Sequence, residues 1–147
     1  MPDAKDFFSE DEQVAIIESI RKAEQKTSGE VRLHLENRCG KKGAIARAEQ
    51  LFHKLKMDET ELRNGVLIYL AIKDHQFAII GDKGINELSP EDFWENVRDL
   101  MQEKFKNGEF LEGICEGIEL AGEELQKDFP DMGDDKNELP DDISYNK

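Results

Sequence analysis

Oxygen-bearing side chains are the chemistry this sequence advertises. The stretch FAIIGDKGI, residues 77–85, reads as a buried strand that ends on Asp82, Lys83 and Gly84. Asp82 is either a turn-former, bonding nearby backbone N–H groups, or a ligand facing outward. Glu30, Asn64 and Glu87 fall at element ends that the connection rules bring to the same place, with Glu61 as a further neighbour. Carboxylate and amide oxygens gathered in this way suit a hard cation. Ca²⁺ takes about six to eight oxygens, and Mg²⁺ keeps much of its water. Glu30, Asn64, Asp82 and Glu87 are therefore the expected Ca²⁺ or Mg²⁺ ligands. The helix expected after Asp82 works against this, because a helix N-terminus favours anions.

A second constellation lies in Asn37-Arg38-Cys39-Gly40-Lys41-Lys42-Gly43, a basic, glycine-bearing loop ahead of a helix. Such a loop could cradle a phosphate at the carboxyl ends of parallel strands. Its spacing does not match a P-loop. Its charges would lower the pKa of the Cys39 thiol. His34, His53 and His75 are scattered, and His53 reads as a boundary residue. The acidic run Asp134-Asp135-Lys136-Asn137-Glu138 lacks the glycine and the ligand spacing of an EF-hand.

The elements that position these groups follow from periodicity. Ser9-x-x-Glu12 is a capping box and opens a helix that closes at Thr27-Ser28-Gly29. Residues 30–36 alternate cleanly, with Glu30, Arg32, His34 and Glu36 expected on a wet face or an edge. A helix is predicted from Ala44 to about Met57. Residues 65–72 are apolar on both faces and read as a central strand. Residues 77–81 return antiparallel after a short turn, and Gly84 is expected to supply a positive φ. A helix opening at Ser89-Pro90 and another ending before Pro130 complete the body. A strand–helix–strand crossover makes the first two strands parallel. The expected fold is an α/β/α sandwich, a small mixed sheet flanked by about four helices. Because the third strand runs back along the second, Asp82 should return to the border where the first two strands begin.

Composition bounds the rest. The chain has 147 residues, 37% hydrophobic and 37% charged, with a net charge of −14. One domain over residues 1–130 is expected, followed by an acidic, largely flexible tail over 131–147. Such acidity argues against nucleic acid and against an anionic membrane surface. No signal peptide is visible, no apolar run is long enough to span a bilayer, and the two cysteines match no zinc spacing, so a cytoplasmic protein is expected.

Ser28-Gly29-Glu30, Asn64-Gly65-Val66-Leu67-Ile68, Gly81-Asp82-Lys83-Gly84-Ile85 and Phe105-Lys106-Asn107-Gly108-Glu109-Phe110-Leu111-Glu112-Gly113 together resemble the TPM domain family. The resemblance covers roughly residues 10–130. It implies an α/β/α sandwich and, as expectations, divalent-cation binding and acid phosphatase activity. Here Gly-Asp-Lys-Gly stands where many members have Gly-Tyr-Gly. Three readings follow: a TPM-type domain that binds a cation weakly in a regulatory or interaction role, a metal-assisted phosphatase with Lys83 or Arg63 neutralising charge, and a ligand-free module that docks a protein partner.

Overall fold

The computed structural model describes residues 3–88, 94–131 and 143–146. The chain runs α1 (Glu10–Lys26), β1 (Glu30–Glu36), α2 (Ala44–Lys54), β2 (Gly65–Ala71), β3 (Gln76–Gly81), α3 (Lys83–Leu88), α4 (Glu95–Lys106), α5 (Phe110–Asp128) and β4 (Ile143–Asn146). The strands form one mixed sheet in the order β3-β2-β1-β4. β1 is parallel to both β2 and β4, and β2 is antiparallel to β3. The register pairs Glu30 with Gly65 and Val66 with Gly81, so the start of β1, the start of β2 and the end of β3 share one border.

Each sheet face has its own core, which makes the α/β/α sandwich. Val31, Leu33 and Leu35 join Val66, Ile68 and Leu70 against α1, α4 and α5. Leu67, Tyr69, Ala71 and Ala78 pack against Ala48, Leu51 and Phe52 of α2. β2 is buried along its whole length because helices cover both of its faces. The α1 capping box forms as the spacing requires, with Ser9 N–H donating to Glu12 Oε1 at 2.9 Å and Glu12 N–H to Ser9 Oγ at 3.2 Å.

Several expectations are corrected. β1 is an inner strand, and its polar residues Glu30, His34 and Glu36 are buried. The segment read as loose tail contains β4, whose Ile143 is buried beside β1 and whose Ser144 meets His34. Residues 132–142 lie outside the described residues. α2 stops at Lys54, and the chain turns at Lys56 with a left-handed φ of 60° before Met57 enters the core in a 3₁₀ turn. The predicted helix start at Ser89-Pro90 also lies outside the described residues, and α4 begins at Glu95.

Candidate functional site at the strand border

The turn after β3 is short because α3 starts at once. Asp82 organises that start. Its Oδ1 accepts from the Lys83 N–H at 2.7 Å, and its main-chain carbonyl accepts from the Ile85 and Asn86 N–H groups at 3.0 and 3.1 Å. Its own N–H donates to the Gly65 carbonyl at 2.9 Å, which extends the ladder past the end of β3. Asp82 is thus both turn-former and border residue.

Its carboxylate is held by Arg63. Nε donates to Oδ2 at 2.9 Å and the guanidinium also donates to Oδ1 at 3.0 Å, a two-pronged pair. The Asp82 side chain is only 4% exposed, whereas that of Arg63 is 43% exposed. Arg63 stands on left-handed backbone, φ 51°, a conformation that a branched or bulky residue adopts at a cost. Gly84 is not among the positive-φ residues. It is required for closeness instead: a Cβ there would lie 2.3 Å from the Leu62 carbonyl oxygen and 2.5 Å from that of Arg63. The Gly84 N–H donates to that Arg63 carbonyl at 2.8 Å, which locks the 60–64 loop to the β3–α3 corner.

The other expected ligands share the border, but not one focus. Glu30 is buried and lies across Gly65 from Asp82 in register, two strand spacings away, or about 10 Å between Cα atoms. Between them Gly65 carries no side chain because the Met57 carbonyl occupies that space, 2.9 Å from where a Cβ would sit. Asn64 is buried and its Nδ2 donates to Ser28 Oγ at 3.3 Å, which ties the loop to the α1–β1 turn. Glu87 falls in α3, and its side chain lies outside the described residues. Among the described residues, no three of His, Cys, Asp and Glu stand close enough to hold a metal ion.

Sequence reading missed Thr60. It is buried in the same loop, and its Oγ1 has no hydrogen-bond partner. A threonine in Glu59-Thr60-Glu61 carries no pattern that would have singled it out.

The basic loop at the opposite border is wired internally. Arg38 donates to Asp74 Oδ1 at 2.9 Å. The first free N–H of α2, on Ala44, donates to Gln76 Oε1 at 3.2 Å. Arg47 and Tyr69 are committed to Glu36: the guanidinium approaches to 2.7 Å and the phenol donates at 2.5 Å. Burial alone would raise the Glu36 carboxyl, but these two donors outweigh it and hold the group below its ordinary range. The Cys39 thiol is pushed up, not down, because it is buried and donates to Asp74 at 3.3 Å. Burial first and then the acid beside the sulfur, rather than the loop lysines, set this direction. His53 is exposed and pairs with Asp58 at 2.7 Å.

The architecture is therefore an α/β/α domain whose parallel-strand starts carry a buried acid, Asp82, matched to a half-exposed arginine. The TPM domain model matches residues 1–124, and the chain belongs to that family. It is similar to BA42 from the psychrophilic bacterium Bizionia argentinensis, solved by NMR, at 47% identity over 99% of this chain and 100% of that one, with a TM-score of 0.91. No curated protein sequence matches it. Among the described residues, no helix is long and apolar enough to cross a membrane.

Proposed function

We propose that this TPM domain binds a divalent cation weakly at the Asp82 border, in competition with Arg63. The observation that carries the reading is the mismatch between the two partners. A carboxylate taken out of water needs a positive charge beside it. The charge that Asp82 has is on a half-exposed side chain that already reaches solvent. One or two carboxylates plus retained water is the way Mg²⁺ is commonly held. Asp82 supplies the first, and Glu30 is the next acid along the border. The donor set suits a weakly held ion in a regulatory or interaction role, not a tight structural metal.

The test is a Ca²⁺ and Mg²⁺ titration followed by amide NMR shifts. Saturable shifts are expected at Thr60, Arg63, Asn64, Gly65, Asp82 and Lys83. Asp82→Asn should abolish them with the fold intact. Arg63→Gln should tighten binding about fivefold, the worth of a half-exposed ion pair. Shifts spread evenly over the acidic surface, or an affinity indifferent to Arg63→Gln, would reject the reading. Phosphate release from p-nitrophenyl phosphate, present in the parent and lost in Asp82→Asn, would extend the site to phosphoester hydrolysis.

A further inference from the structure

We propose that the domain has a second ligand site, at the other border of the sheet, for a small amphipathic anion with a carboxylate head and an apolar body. A cavity of about 250 Å³ opens there between β2, β3, α4 and the segment before α1. Its walls are four phenylalanines. Phe7 meets Phe110 edge-on at 5.3 Å, Phe110 stacks on Phe105 at 5.6 Å, and Phe105 meets Phe77 edge-on at 5.1 Å. All four are only partly buried, although they sit against the main core. Half of the chain's eight phenylalanines are thus gathered at one opening rather than sealed inside. Leu70 and Ile72, both buried, form the floor.

The wall is held open by polar anchors outside it. Lys73 Nζ bonds Asp3 Oδ1 at 2.9 Å, and the Ala4 N–H donates to Asn37 Oδ1 at 2.7 Å. These contacts fix the N-terminal segment, and with it Phe7, over the end of β2. The ring chain is therefore prepared, so a ligand need not order it at its own expense.

Charge selects the ligand class. Asp and Glu make up 34 of the 147 residues, yet none lines this cavity. The exposed rim carries Lys106, Gln102 and His75 instead. Among the described residues, Lys106 has no carboxylate partner. An apolar cleft with a lone ammonium and an amide at its mouth fits a carboxylate whose tail enters between the rings. The volume lies below the ~300–1,000 Å³ of sites for drug-sized ligands, so the body is short, of medium-chain fatty-acid or single-ring size.

The test compares octanoate, octan-1-ol and octylammonium on the full chain, by amide and aromatic NMR shifts in about 0.15 M salt, where the net charge is screened beyond ~8 Å. Octanoate should give saturable shifts at Phe77, Gln102, Phe105, Lys106 and Phe110. Octylammonium should bind about fivefold more weakly or worse. Lys106→Gln, at an exposed site that leaves the fold alone, should weaken octanoate about two- to fivefold and leave octan-1-ol unchanged. Gln102→Trp, also at an exposed position, should fill the mouth and remove binding of both. No saturable shift at these residues, or equal affinity for octanoate and octylammonium, would overturn the proposal. Neither result bears on the Asp82 border, where none of these residues lies.

Discussion

Glu36 and Asp82 are buried carboxylates at opposite borders of one sheet, and each is matched to an arginine. The pairs look alike on paper. Both side chains are 4% exposed, and both arginines reach them at 2.7 to 2.9 Å. The partners differ. Arg47 lies along α2 with 24% of its side chain exposed, and the third donor to Glu36 is the buried Tyr69 phenol, where that to Asp82 is the Lys83 main-chain N–H. Arg63 is 43% exposed and stands on a left-handed loop residue. A buried acid surrounded by fixed donors is a structural element. A buried acid whose counter-charge is half in water is an acid whose partner can be exchanged. That contrast, more than the mere presence of acids, separates the border proposed as a cation site from the border that only holds the sheet to its helix.

The largest expected effect tests the structural half. Glu36→Ala strands the Arg47 guanidinium and leaves the Tyr69 phenol without its acceptor, and should cost about 3 to 4 kcal/mol in urea denaturation at neutral pH. A loss as small as that at Asp82 would break the comparison.

Acid sensitivity should come from the same border. Burial pushes His34 down to about 4; Arg47, Arg32 and Lys54 add to this, and Glu36 opposes it. Its folded pKa lies below the ordinary 6.5, so the unfolded chain takes up a proton between pH 6.5 and 4 that the folded chain refuses. Stability should be full above pH 6.5 and fall by about 3 kcal/mol as pH drops through that window. Denaturation midpoints measured across pH should lose this slope in His34→Gln. Below that window the depressed Glu36 carboxyl continues the decline as it protonates.

At the other border the backbone is the rigid part. Gly84→Ala forces a methyl onto two carbonyl oxygens and should cost about 2 to 3 kcal/mol. The smallest loss belongs to Asp82→Ala, about 1 to 2 kcal/mol by the same assay, since Arg63 can turn to water when its acid is gone. A loss at Asp82 equal to that at Glu36 would show that Arg63 is not free to leave, and would weaken the exchange on which cation binding rests.

The strand order on three of the four strands was legible because it follows from local rules. A clean alternation, a run apolar on both faces and a four-residue turn leave few ways to join β1, β2 and β3. That same reasoning returned Asp82 to the border of Asn64 and Glu30. What it could not show was the second covering of β1. Ile143-Ser144-Tyr145-Asn146 is four residues in an acidic run, and its pairing with β1 is a contact between distant parts of the chain. Without it, the alternation of Glu30, Arg32, His34 and Glu36 reads as a face in water. Arg63 was legible as a cation, but not as the partner of Asp82, because a left-handed residue before Asn-Gly leaves no mark in the sequence. Thr60 Oγ1 and His34 Nε2, both without a hydrogen-bond partner among the described residues, depend on packing alone.

The closing of β1 by β4 also has a consequence in time. His34 and Ser144 are separated by 110 positions, so at the ~5–20 residues per second of synthesis the inner strand emerges several seconds before its neighbour exists. Over that interval the ladder groups on its β4 side stand bare to any passing chain. A nascent protein of this kind is most exposed to aggregation in the interval before β4 arrives to complete the main core.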